Sequence, residues 1–131
     1  MPSPDAIILF AHGSRDPLWR APMEAVAQRI AEQQPAVPAR CAYLELCSPD
    51  LPTVATELIA ACAYSTALSG LKAPKIRIVP MFLGMGKHAR EDLPELVAAL
   101  RAAHPQVEFE VAPAIGEDPR VTTLLAELAL G

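Results

Sequence analysis

The sequence predicts an α/β domain in which a mostly parallel four-stranded sheet lies between two layers of helix, a three-layer sandwich over residues 1–131. Three observations carry this expectation. Short apolar runs recur without polar alternation, as in strands buried on both faces. The segments between them carry apolar residues at helical spacing. A chain of 131 residues also suits a single hydrophobic core.

Ala6-Ile7-Ile8-Leu9-Phe10-Ala11 is a continuous apolar run that stops at His12-Gly13-Ser14, giving the first strand. From Pro17 to Gln34, Leu18, Met23, Val26 and Ile30 share one side of a helix, and Pro35 and Pro38 close it. Arg40 to Leu46 makes the second strand. Ser48-Pro49-Asp50-Leu51-Pro52 then turns the chain into a helix reaching about Ser69, since proline is tolerated in a first helical turn. Ile76, Ile78 and Val79 mark a third strand from Lys75 to Leu83, in which Pro80 points to an edge position or a bulge. Gly84-Met85-Gly86 breaks that pattern. Leu93, Leu96, Val97 and Leu100 give a helix from Arg90 to Ala103, and Val107 to Val111 a fourth strand. Asp118-Pro119 supplies an acidic cap and a proline start for a last helix over Val121 to Leu130. In this β-α-β-α-β-α-β-α order, right-handed crossovers make the strands parallel, and ligands bind beyond their carboxyl ends.

Composition excludes several functions. Hydrophobic residues make up 52% of the chain and charged ones 20%, which excludes disorder. Aromatics at 5% and a net charge of −4 argue against a nucleic-acid partner. Cys41, Cys47 and Cys62 are odd in number and form no close pair, so they read as free thiols. Met1-Pro2-Ser3-Pro4-Asp5 lacks the basic start of a leader, and no stretch approaches the ~18 apolar residues that cross a bilayer. The expectation is a cytoplasmic protein with no membrane partner.

The chemistry-bearing residues gather at the carboxyl edge. His12 follows the first strand, Glu45 interrupts the apolar run of the second, and His88 follows the glycine loop after the third. A buried carboxylate is costly unless paired, protonated or metal-bound; an edge-facing or ion-paired Glu45, and a His12 that only caps the next helix, are the plainer alternatives. Two imidazoles and a carboxylate suit a borderline divalent metal such as Fe, Co, Ni or Zn. Because they come from three separate strand ends, without the close Cys/His pairs of structural zinc, they fit a passing ion better than a resident one.

Ala11-His12-Gly13-Ser14-Arg15, then Tyr43-Leu44-Glu45 followed by Pro49-Asp50-Leu51-Pro52, then Gly86-Lys87-His88 leading to Glu91-Asp92-Leu93-Pro94 occur in one order between Ala6 and Leu100. This combination resembles the small sirohydrochlorin chelatases, a class II chelatase family. The resemblance implies a chelatase-like, flavodoxin-like fold and a homodimer enclosing a tetrapyrrole. It also implies a lyase that inserts cobalt, iron or nickel into sirohydrochlorin or its precorrin precursor without ATP, in cobalamin, sirohaem or related tetrapyrrole synthesis. The metal is then a substrate, and no cofactor is permanently bound. His12 and His88 match the family's metal-binding and catalytic histidines, and Glu45 an additional ligand or proton acceptor. Lys87 stands where a small residue is expected, and Asp50 where serine or threonine is usual.

Metal insertion requires two pyrrole N–H protons to leave while the ion sheds water, and an imidazole can both hold the ion and take a proton. A polycarboxylated macrocycle needs local positive charge, for which Arg15 and Lys87 are the strongest candidates, with Ser14, Met85 and Arg90 beside them. Two other readings stay open. A phosphate-transfer enzyme with a nucleophilic His12 would want an arginine where Ala11 stands. A carrier on the same fold would bind metal or tetrapyrrole without inserting one into the other.

Overall fold

A computed structural model describes residues 3–69 and 73–131. The elements run β1 (Ala6–Ala11), α1 (Ala21–Gln33), β2 (Ala39–Tyr43), α2 (Leu51–Ser69), β3 (Lys75–Pro80), α3 (Lys87–Ala103), β4 (Glu108–Val111) and α4 (Pro119–Leu130). All neighbouring strands pair in parallel, in the order β2-β1-β3-β4. Ile8, Phe10, Ile76 and Ile78 are fully buried on one face of the sheet. Leu51, Val54 and Leu58 from α2 and Leu93, Val97 and Leu100 from α3 join them in one core. On the opposite face α1 lies against β1 and β2. The expected α/β architecture and parallel sheet are thus observed. Among the described residues, no helix is long and apolar enough to cross a membrane.

Four boundaries differ from the sequence expectation by three residues or more, each for a local reason. The first helix opens with a 3-10 turn over Pro17–Arg20 and becomes α-helical only at Ala21; Pro22 has no N–H to give the Leu18 carbonyl, so the α-helical ladder cannot run through that turn. β2 ends at Tyr43, short of Leu46, because Leu46 takes φ +69° and the chain doubles back until the Tyr43 N–H donates to the Pro49 carbonyl at 2.9 Å. β3 ends at Pro80 and lies between β1 and β4, so the edge position inferred from that proline is not observed. The missing donor of Pro80 falls on the β4 side, where pairing has already ended at Ile78↔Val111. α3 begins at Lys87, three residues before Arg90, with Gly86 as its cap.

The last helix is capped as the sequence requires, with the Asp118 side chain accepting from the Arg120 backbone N–H at 2.8 Å. Hydrogen bonds from the Arg120 side chain and backbone hold the Asp118 carboxyl down from 3.8 to about 2. Because the folded value lies below the unfolded one, this stabilisation is complete above the unfolded value and is lost as pH falls through about 2. Helical carbon shifts at Arg120 and Val121, followed by NMR, are expected to shrink between about pH 4 and pH 2, and Asp118→Asn to remove that dependence.

Candidate functional site

The ladder between β1 and β2 runs past both strands and sets the site. The Leu44 N–H donates to the Ala11 carbonyl at 2.9 Å and the Glu45 N–H to the His12 carbonyl at 3.0 Å. His12 and Glu45 therefore leave the sheet side by side, and His12 Nε2 lies 3.3 Å from Glu45 Oε1. Gly13 makes this approach possible. It sits at φ +103°, and a Cβ there would lie 1.8 Å from the Glu45 carbonyl oxygen.

Further contacts fasten the two loops together. The Trp19 and Tyr43 rings meet edge to face at 6.0 Å, and an Arg20 guanidinium N–H donates to the Ser48 carbonyl at 3.4 Å. Tyr43 is buried, and burial pushes its phenol well above its ordinary range, so it stays a neutral wall of the site. Asp50, in the place where serine or threonine is usual, does the same capping work: its carboxylate accepts from the Thr53 N–H at 2.9 Å, and hydrogen bonds from the Thr53 side chain and backbone lower its pKa.

Glu45 is not the buried strand carboxylate that its apolar flanks suggest. It lies beyond β2 with 57% of its side chain exposed, against 49% for His12. The desolvation argument therefore does not hold, and the edge-facing alternative does. The chemistry of the pair is still suggestive. His12 Nδ1 is 3.3 Å from the Gly13 carbonyl, which can only accept, so Nδ1 carries the proton there and Nε2 can turn a lone pair toward the carboxylate side. Histidine ligands commonly donate their second N–H to a backbone carbonyl in this way. An ion about 2.0–2.2 Å from two donors at a tetrahedral angle holds them about 3.4 Å apart. The 3.3 Å separation observed matches that span.

The other predicted residues follow the carboxyl ends of β1 and β3. Ser14 is half-buried and its hydroxyl accepts from the Asp16 N–H at 3.1 Å, while Arg15 is exposed. Lys87, His88 and Arg90 are exposed in the first turn of α3. That turn holds no acidic residue, so Lys87 and Arg90 add positive charge to a helix end that is already positive, an arrangement favouring an anionic ligand. Met85 packs against the core and, with Arg90, Pro94 and Arg101, lines a cavity of about 400 Å³ between α3 and the end of β4. Gly84 and Gly86 have open space where a side chain would stand, which leaves room for a ligand over the loop. Among the described residues, no three His, Cys, Asp or Glu side chains converge closely enough to hold an ion. His12 and Glu45 are brought together; His88 stands apart from them.

One structural residue escaped the sequence reading. Gly116 packs against the loop after β3: its N–H donates to the Phe82 carbonyl at 2.9 Å, and a Cβ there would lie 1.8 Å from the Leu83 carbonyl oxygen. An isolated glycine between two elements was its only signal.

The fold agrees with comparisons to known proteins. The CbiX family matches residues 6–130. A sirohydrochlorin cobaltochelatase of Methanopyrus kandleri is 30% identical over 92 residues, covering 70% of this chain and 57% of that protein. A sirohydrochlorin ferrochelatase of Priestia megaterium is 28% identical over 123 residues, covering 94% of this chain and 42% of that protein. The chain thus spans about half the length of these relatives. The solved structure of a CbiX protein from Marinobacter aquaeolei VT8 aligns with a TM-score of 0.73 at 31% identity, over 95% of this chain and 92% of that one.

Proposed function

This chain belongs to the CbiX family, and from that premise we propose that it is a sirohydrochlorin chelatase, a cytoplasmic lyase inserting a divalent metal into sirohydrochlorin or a precorrin precursor without ATP. The observation that carries the reading is the His12–Glu45 pair, with Nε2 and Oε1 3.3 Å apart at the carboxyl edge of a parallel sheet. His12 Nε2 and a Glu45 oxygen take the incoming ion and replace part of its water shell. His88, at the start of α3, meets the ion from the other side once the macrocycle lies across the edge. Each pyrrole N–H that loses its proton then has a base within reach, Glu45 or an imidazole not engaged by metal.

Positive charge at Arg15, Lys87 and Arg90 holds the carboxylates of the tetrapyrrole, with Ser14 as a hydrogen-bonding neighbour and Met85 against the apolar ring. Two copies pairing as a homodimer supply the second wall of the cleft. Cobalt, iron and nickel all suit these ligands, and relatives named for cobalt and for iron both align. The pathway served, whether to cobalamin, sirohaem or a nickel tetrapyrrole, therefore follows from the metal that turns over fastest.

The test is anaerobic incubation of the purified chain with sirohydrochlorin and Co²⁺, Fe²⁺ or Ni²⁺, following macrocycle absorbance against a protein-free control. Many equivalents of metallated product per chain are expected, at rates that rank the metals. Product that stops at one equivalent would replace the chelatase with a carrier, and a rate equal to the protein-free control would overturn the reading.

A further inference from the structure

Outside β4 and α4, the large apolar side chains most exposed among the described residues are Leu18, Trp19, Leu46 and Leu83. All four stand in the segments that follow β1, β2 and β3, the same segments that carry His12 and Glu45 and lead to His88. A single exposed leucine is ordinary on a protein surface, but a set of them around a candidate ligand site marks a surface that a ligand covers. Two of them, Leu46 and Leu83, are held in ways that folding alone does not account for.

Leu46 is the one non-glycine residue with positive φ among the described residues, at +69°. A side chain makes that conformation costly, and glycine or asparagine takes it more readily than leucine. Little burial offsets the cost: Leu46 is 48% exposed, whereas Leu44, two positions earlier, packs against the core. Folding alone therefore favours glycine or asparagine here, and local strain of this kind persists at sites that serve a ligand. Leu83 is 67% exposed, yet its backbone is fixed. Phe82 before it meets Phe10 edge to face at 6.2 Å, and the Phe82 carbonyl accepts from the Gly116 N–H at 2.9 Å. An apolar side chain on a fixed backbone loses little freedom when a ligand settles on it.

The two leucines flank the metal-binding pair. β1 lies between β2 and β3, and Leu46 and Leu83 each come three residues after the last residue of their strand, Tyr43 and Pro80. Adjacent strands are about 4.8 Å apart, so the two segments leave the sheet roughly one strand spacing to either side of His12. A metal in a tetrapyrrole sits at the centre, with pyrrole rings all round it. We propose that Leu46 and Leu83 seat the macrocycle, each beneath a pyrrole ring on opposite sides of the ion held by His12 and Glu45. The inference rests on the chelatase reading given under Proposed function and names the side chains that set the ring's height and tilt over the ion.

The test separates macrocycle binding from insertion. Titration with metal-free sirohydrochlorin is followed by heat and by quenching of Trp19, the single tryptophan of the chain. Leu46→Asn and Leu83→Asn are each expected to raise the dissociation constant ~5- to 10-fold, and the double variant ~30-fold or more. The KM for sirohydrochlorin rises with it while kcat and Co²⁺ affinity stay near wild type, as when binding common to ground and transition state is lost. Leu46→Asn is expected to melt at or above the wild-type temperature, because asparagine tolerates the backbone that strains leucine. Leu46→Met restores most of the affinity. A Leu46→Asn protein that melts well below wild type would show that the leucine holds its own loop, and overturns its role as a seat. Variants that bind sirohydrochlorin as tightly as a wild type that binds and metallates it overturn both seats and leave the chelatase reading standing. A wild-type chain that neither binds nor metallates sirohydrochlorin overturns the seats and the chelatase reading together.

Discussion

Gly13→Ala is expected to lower the melting temperature by roughly 10 °C and to abolish metal insertion, an effect out of proportion to one methyl group. The new Cβ would lie 1.8 Å from the Glu45 carbonyl oxygen and 3.0 Å from its carbon, both backbone atoms that no rotamer change can move. The φ of +103° adds about 1–2 kcal/mol for any residue with a side chain. Relief requires the loop after β2 to retreat, which stretches the Glu45 N–H to His12 carbonyl bond, worth about 1 kcal/mol. The sum is about 2–3 kcal/mol, and the same retreat separates His12 from Glu45. Gly84→Ala and Gly86→Ala are the controls. Neither position has an atom within 4 Å of the added carbon, so both should melt within about 2 °C of wild type. A Gly13→Ala protein that melts with these controls would mean that the loop relaxes freely and that glycine does not set the site.

The sequence made the architecture legible because the relevant signals are local. The unbroken apolar run Ala6–Ala11 needs both faces covered, which only a central strand in a helix-flanked sheet provides, and β1 does lie inside the sheet. Asp118-Pro119 carries its helix start in two residues, and the cap was placed to the residue although the helix itself begins at Pro119, two residues before Val121. Glu45 was placed at the correct edge but in the wrong environment. Leu44 and Leu46 look like strand, and periodicity carries no sign that Leu46 adopts a left-handed backbone and turns Glu45 outward. Pro80 misled for a related reason: a proline ends strand pairing, but whether it does so at a sheet edge depends on where the neighbouring strand stops. The same holds for α4, whose leucine stripe is visible in the sequence although its position off the sheet is not. His88 was found as a residue type at a strand-end loop, and the structure puts it in a helix start instead, where its distance from His12 depends on tertiary packing.

His12→Ala should reduce the kcat/KM of metal insertion by ~100-fold or more, since losing a ligand removes the ion's anchor as well as a base. Glu45→Gln keeps the shape and one acceptor oxygen but loses the charge and the proton acceptor, so a fall of about 10- to 100-fold is expected. These losses must be separated from simple unfolding, and exposure allows it. Both side chains are half exposed, at 49% and 57%, and an ion pair in that setting contributes about 0–1 kcal/mol. Melting temperatures should therefore stay within about 4 °C of wild type while activity collapses, the reverse of the Gly13→Ala pattern in which both fall. The double variant His12→Ala/Glu45→Gln is informative in a further way. If the two groups act on one ion, removing the second after the first should cost little more than the first alone, because residues acting as a unit are not additive. Multiplicative losses would instead assign them separate steps, with His12 on the metal and Glu45 on a pyrrole proton. Activity within a factor of about three of wild type in both single variants would remove the pair from the reaction altogether and shift attention to His88 and the basic first turn of α3.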